Sequence, residues 1–229
     1  MSTAFSASIK ATALCALTAV AALLFCPSPA AATWELPANL SCSDPPLGVA
    51  YSNLRYYSGA VNCGNLLLES DIGGTHPWVP PKVTLPHTTL RKRHRGGDKL
   101  YTLIYLDPYV DVPNNGTWPD CEPNCVGSKG PARHWLVGNI PSTMLEHGDL
   151  SGATTVSKFK GPSPAYGSHP YGLFLFEQPA GKDKIAFAPL PSPLGIYDFD
   201  VAAWLSKYGF KHGPVATNWH VTMHADPRK

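Results

Sequence analysis

The chain has 229 residues, of which 44% are hydrophobic and 15% charged, and its formal net charge is +2. That balance offers no electrostatic case for a nucleic-acid or acidic-polymer partner. Its 24 prolines are about twice the usual ~5%, with ordinary apolar content, which excludes a disordered chain and suits short strands joined by ordered loops.

The first 32 residues read as a secretory signal. Lys10 supplies the positive start, Ala11 to Cys26 the apolar run, and Ala30-Ala31-Ala32 a small-residue cleavage site, so cleavage is expected after Ala32. The run is short for a span of roughly 20 residues and no basic stop follows, so no membrane anchor is expected. Residues 33–229 have the size of one domain, expected to act as an extracellular monomer.

Cys15 and Cys26 would leave with the signal, and Cys42, Cys63, Cys121 and Cys125 remain. An even number in an exported chain implies two disulfides, with three pairings open. Cys121 and Cys125 lie four apart in a Pro/Asn/Gly-rich stretch, so a local clip is the simplest choice, leaving Cys42 with Cys63. Cys-x-x-x-Cys without a second Cys or His pair at zinc spacing makes a poor metal site, and neither metal nor cofactor is expected. Asn39-Leu-Ser41 and Asn115-Gly-Thr117 are glycosylation acceptors in turn-like sequence.

Farther on, Arg91-Lys-Arg-His-Arg95 followed by Gly96-Gly97 reads as a solvated hairpin tip. Strands are expected at Leu100 to Leu106, Trp135 to Ile140, Tyr171 to Phe176, Lys184 to Ala188 and Val215 to Met223. In the last, Val215, Thr217, Trp219, Val221 and Met223 alternate with Ala216, Asn218, His220 and Thr222, so one set turns inward. An insertion spans 113–131. One helix is expected, capped by Asp198 or Asp200, with Phe199, Ala202, Ala203, Leu205 and Tyr208 as its stripe and Gly209 as its stop. The fold is therefore mainly β: a sandwich of two antiparallel sheets with a C-terminal helix laid against it.

Three stretches place polar groups at the edges of apolar strands: Leu100-Tyr-Thr-Leu-Ile-Tyr-Leu-Asp107-Pro108, His134-Trp-Leu-Val-Gly-Asn-Ile-Pro141 and Gly161-Pro-Ser-Pro-Ala-Tyr-Gly-Ser-His169-Pro-Tyr171-Gly-Leu-Phe-Leu-Phe-Glu-Gln178. Imidazoles, a phenol and glycine-exposed amides are the donors that a phosphate ester needs. In this order and spacing the stretches resemble the phosphatidylethanolamine-binding protein family, which includes the Raf kinase inhibitor proteins. The resemblance runs from about Val61 to Trp219. It implies a large central β-sheet flanked by a smaller one, and a ligand pocket made of Asp107, His134, Gly161, Pro162, His169 and Tyr171. Asp107 would orient an imidazole or raise its pKa, so that a charge-assisted bond to a dianion forms near neutral pH.

The chain departs from the family pattern at Tyr109, which stands where a second acid is usual and would reach into the pocket. This puts recognition of a cationic ethanolamine in doubt more than phosphate binding. Pro162-Ser163-Pro164 replaces a run of prolines followed by a basic residue. Whether the ligand is a lipid depends on apolar surface beside the pocket, for which Trp118, Trp135 and Tyr166 are candidates.

The expected function is a secreted binding protein for an anionic, phosphorylated ligand such as a phospholipid headgroup. The alternative is a secreted inhibitor of a protease or kinase pathway that uses the same fold with a vestigial pocket. An enzyme is not expected. Ser163 or Ser168 could meet His169, but no Gly-x-Ser-x-Gly elbow and no His-Glu-x-x-His is present.

Overall fold

The structure, a computed structural model, describes residues 34, 40–52, 59–72, 78–86, 89, 99–108, 131–164, 167–179, 183–191 and 197–224. The chain divides into units of Met1–Ala32 and Thr33–Lys229, and every described residue falls in the second. The expected signal segment, Asn39, Arg91 to Arg95, Tyr109, Trp118, Tyr166 and the insertion up to residue 130, with Asn115, Cys121 and Cys125, lie outside the described residues.

Eight strands are described: β1 (Gly48–Ala50), β2 (Asn65–Leu68), β3 (Lys82–Thr84), β4 (Leu100–Asp107), β5 (Ala132–Pro141), β6 (Thr154–Ser157), β7 (Ser168–Glu177) and β8 (Ala216–Met223). Two helices, α1 (Ser142–His147) and α2 (Val201–Lys207), complete the set with one 3-10 turn at Glu69–Asp71. Six strands form a sheet in the order β2-β8-β7-β4-β5-β6, and β1 pairs with β3 in a second, two-stranded sheet. The pairing is antiparallel except at one edge, where β2 runs parallel to β8.

Both faces of the large sheet are covered, which is why β4, β5 and β7 read as nearly unbroken apolar runs rather than alternating ones. Tyr101, Leu103, Tyr105, Trp135, Val137, Tyr171, Leu173 and Leu175 pack toward Leu47, Val49, Val83, Leu85 and Leu145, from β1, β3, α1 and their flanks. The intervening residues Ile104, Leu106, Leu136, Phe174 and Phe176 face Phe187, Val201, Trp204, Leu205 and Phe210. Cys42 and Cys63 are joined across a Cα separation of 6.0 Å.

Two local expectations are corrected. Lys184 to Ala188 is not a strand, because its backbone is held by a side chain. Asn139 accepts from the Ile185 amide at 2.9 Å and donates to the Ile185 carbonyl at 3.0 Å, while Phe187 lies against the bare Cα of Gly138. The second correction concerns α2. Asp200 caps it by accepting from the Ala203 amide at 2.8 Å, and Gly209, at φ +77°, closes it. There the Phe210 amide donates to the Leu205 carbonyl and the Gly209 amide to the Ser206 carbonyl, a Schellman motif. Its buried residues are Val201, Trp204 and Leu205, whereas Ala203 is exposed.

The two-residue alternation expected of the last strand is present, and the mostly polar set is the one turned inward. In β8 the buried row is Ala216, Asn218, His220 and Thr222, while Thr217, Trp219 and Met223 are half-buried. Each polar member of that row is satisfied. Asn218 donates to the carbonyls of Leu47 (2.8 Å) and Val61 (3.1 Å), and His220 bonds to Thr222 at 3.2 Å.

Candidate functional site

Strand direction alone gathers the expected residues. β4 ends at Asp107, and because β5 and β7 pair antiparallel on either side of it, both begin at that end. His134 is the third residue of β5, and His169 and Tyr171 are the second and fourth of β7. The segment between β6 and β7 returns to the same place, with Gly161 and Pro162 buried in it. Pro108, which lacks an amide hydrogen, follows the last residue of β4.

Asp107 is the hub of the cluster. Its Oδ2 lies 2.9 Å from His169 Nδ1, which donates to it. Its charge also bears on Tyr171 and His134, whose rings meet edge to face with centroids 5.1 Å apart. Asp107, His134, His169 and Tyr171 are each no more than 4% exposed. Burial drives the Tyr171 hydroxyl well above its ordinary pKa, Asp107 adds to the shift, and a hydrogen bond with the Ser163 backbone opposes it. The phenol is therefore neutral and able to donate.

His134 departs from expectation in its charge. Burial holds its imidazole down to about 4, outweighing the upward pull of Asp107 and of the Lys160 and Gly161 backbone. Its Nδ1 donates to the Lys160 carbonyl at 3.0 Å, which leaves Nε2 of the neutral ring as an acceptor. An anion meeting Nε2 must therefore arrive together with a proton, carried by either the ring or the guest. Lys160, half-buried in the same segment, is also shifted down by desolvation.

A second buried cluster adjoins the first and was not singled out from the sequence. Tyr51 and Tyr105 hydroxyls lie 3.0 Å apart, and His220 Nε2 is 2.9 Å from Tyr105 and 3.3 Å from Tyr51. The His220 ring stacks on Tyr171 at 5.7 Å. Burial, more than its neighbour His134, pushes the His220 pKa down to about 3. The available signal was the two-residue period of β8, which places His220 on the same face as Asn218, with Tyr171 opposite it in β7.

The large cavity on this face, of about 1170 Å³, does not coincide with the Asp107 cluster. Tyr51, Trp78, Trp135, Val137, Leu150 and Phe159 supply its apolar lining. Trp135 is part of this lining. Among the described residues no group of three His, Cys, Asp or Glu could hold a metal ion, and no helix is long and apolar enough to cross a membrane.

Residues 65–220 match the phosphatidylethanolamine-binding protein family. A 26 kDa secreted antigen of Toxocara canis is 28% identical over 167 residues, covering 70% of this chain and 51% of the antigen. A rice protein, MOTHER of FT and TFL1 homolog 2 of Oryza sativa subsp. japonica, is 33% identical over 81 residues, covering 35% of this chain and 38% of that protein. The chain thus spans about half or less of the length of these relatives. The solution structure of CG7054 superposes with a TM-score of 0.49 at 24% identity, covering 85% of this chain and 90% of that one.

Proposed function

Because the chain belongs to the phosphatidylethanolamine-binding protein family, we propose that it is a secreted binding protein whose Asp107 cluster holds a phosphorylated headgroup. The observation that carries this reading is the buried Asp107–His169 pair at 2.9 Å, with His134 and Tyr171 set around the same carboxylate. Pairing to Asp107 fixes His169 Nδ1 as a donor and so orients the ring, while Tyr171 contributes a neutral hydroxyl. Gly161 and Pro162 form the wall beside His134, and Tyr109 is the residue we expect to narrow ethanolamine recognition. Secretion is supported by the Cys42–Cys63 disulfide, a bond of oxidising compartments, and by similarity to a protein named as a secreted antigen.

Binding on this reading is linked to protons. Charging His134 at pH 7 against a pKa of about 4 costs about 4 kcal/mol, unless the guest brings the proton as a phosphate monoanion, whose second pKa is about 6. Either route predicts tighter binding at pH 6 than at pH 7.5. Calorimetric titration with O-phosphorylethanolamine tests it: His169→Ala should weaken binding at least tenfold, and unchanged affinity in that variant removes the reading. No headgroup binding together with inhibition in a panel of extracellular proteases would favour the inhibitor alternative instead.

A further inference from the structure

The large cavity is an open groove in which charged and hydroxyl groups share the lining with aromatic rings. At about 1170 Å³ it exceeds the ~300–1,000 Å³ of ordinary small-molecule pockets. An occupant that fills it is several rings or residues long, with its ends in solvent.

The aromatic part of the lining is held rigidly. Trp78 and Phe159 are half-buried, and each is fixed from behind. Phe159 lies parallel to Tyr105 at 6.1 Å and edge-on to Trp135 at 5.5 Å. Trp78 rests on the bare Cα of Gly161, where a Cβ would stand 2.6 Å from the indole Cδ1. Rings already ordered in the free protein receive a flat apolar guest at little further entropic cost.

The polar part carries a net positive charge. Lys82, His147, Asp149, Thr155 and Lys158 are all exposed in the lining. Gly148, at φ +67°, lets the Lys82 stem cross the turn that follows α1, since a Cβ there would stand 2.4 Å from Lys82 Cγ. Neither Lys82 nor Lys158 has a carboxylate partner among the described residues. The one acid, Asp149, accepts from the Ser151 amide at 2.9 Å, which orients its carboxylate and leaves lone pairs free to accept from a guest.

We propose that this groove binds an acidic oligosaccharide, at a site separate from the Asp107 cluster and independent of the headgroup reading. A pyranose ring has a face of C–H groups and a rim of hydroxyls. The C–H face matches Trp78 and Phe159, the hydroxyl rim matches Asp149 and Thr155, and the acid groups meet Lys82 and Lys158. A peptide strand matches less well, because strand addition needs a free backbone edge. Here β5 is paired on both sides, by β4 and β6, and Val156 of β6 already accepts the Leu190 amide at 2.8 Å.

The test titrates the protein with a hyaluronan hexasaccharide and with chitohexaose as the neutral control, by calorimetry and by tryptophan emission. The acidic sugar should bind at least about tenfold more tightly, the worth of charge-assisted bonds to two lysines, and added salt should shrink the difference. Lys82→Ala combined with Lys158→Ala, both at exposed positions, should abolish this preference and leave O-phosphorylethanolamine binding as it is in the wild type. Thr155→Trp, at an exposed lining position of β6, should block both sugars. Equal affinity for the two sugars, a preference that survives the lysine variant, or no binding of either sugar overturns the inference. A glutamate-rich peptide that binds more tightly than hyaluronan, and is lost in the same variants, also overturns it and makes the groove a peptide site. Headgroup binding that fails while hyaluronan binding holds would overturn the reading of the Asp107 cluster and leave this one standing.

Discussion

Among single residues, Tyr105 does the most to join the two buried clusters. Its hydroxyl meets both Tyr51 and His220, and its ring faces His134, Phe159 and Tyr171. Removing a partner from a buried polar group costs about 1–3 kcal/mol when another is left unsatisfied. Each substitution breaks two of the three contacts, but Tyr105→Phe leaves only the 3.3 Å Tyr51–His220 contact whereas Tyr51→Phe leaves the 2.9 Å Tyr105–His220 bond in place. Tyr105→Phe should therefore lower the urea midpoint more than Tyr51→Phe, and equal losses would show that the 2.9 Å bond to His220 contributes no more than the 3.3 Å contact. None of this was legible beforehand. Tyr105 stands in an apolar strand and reads as a core aromatic, and the hydroxyl of a strand Tyr meets a partner only through tertiary packing. Asp107, His134, His169 and Tyr171 were legible through the family resemblance of the stretches that hold them, each at the edge of an apolar strand, and antiparallel pairing brings those edges together. The charge of His134 was not, because the acid beside it is visible in sequence and the depth of burial is not.

Among elements, the three central strands were legible from their apolar runs. β1, β2, β3, β6 and α1 were not, being only three to six residues long and too short for a period to declare itself. Lys184 to Ala188 had the composition of a strand and is held instead by Asn139. That residue sits at φ +55° and bonds Thr154 and Gln178 as well as Ile185. Its loss would strand several buried groups at roughly 1–3 kcal/mol each and force Ala into a left-handed conformation costing about 1–2 kcal/mol. Loss of the Asp200 cap, by contrast, costs typically ~1 kcal/mol. Asn139→Ala should therefore destabilise the fold by about 3 kcal/mol or more, well beyond Asp200→Ala, in parallel denaturant titrations. A ranking in which the cap matters more would mean that segment 183–191 is not fastened through this side chain.

For the molecule as a whole, the consequence of burying two neutral imidazoles is sensitivity to acid. His134 and His220 have pKa values of about 4 and about 3 in the folded chain, against ~6.5 when unfolded. The unfolded state therefore takes up protons first, so the stability tied to each group is complete above pH 6.5 and is lost as pH falls toward 4 and 3. Between pH 7 and pH 5 each contributes a loss of about 2 kcal/mol, together a large share of the ~5–15 kcal/mol that holds a domain folded. His220→Gln should remove about half of this acid slope in urea midpoints, and a wild-type curve that stays flat from pH 7 to pH 5 would contradict the burial of both rings. The two halves are also separable by ligand. A phosphate guest that supplies or recruits a proton at His134 gives the folded state that proton too, so saturating O-phosphorylethanolamine should flatten the His134 share and leave the His220 share intact. An acid slope unaltered by a ligand that demonstrably binds would place its phosphate away from His134 Nε2, and with it the chemistry assigned to the Asp107 cluster.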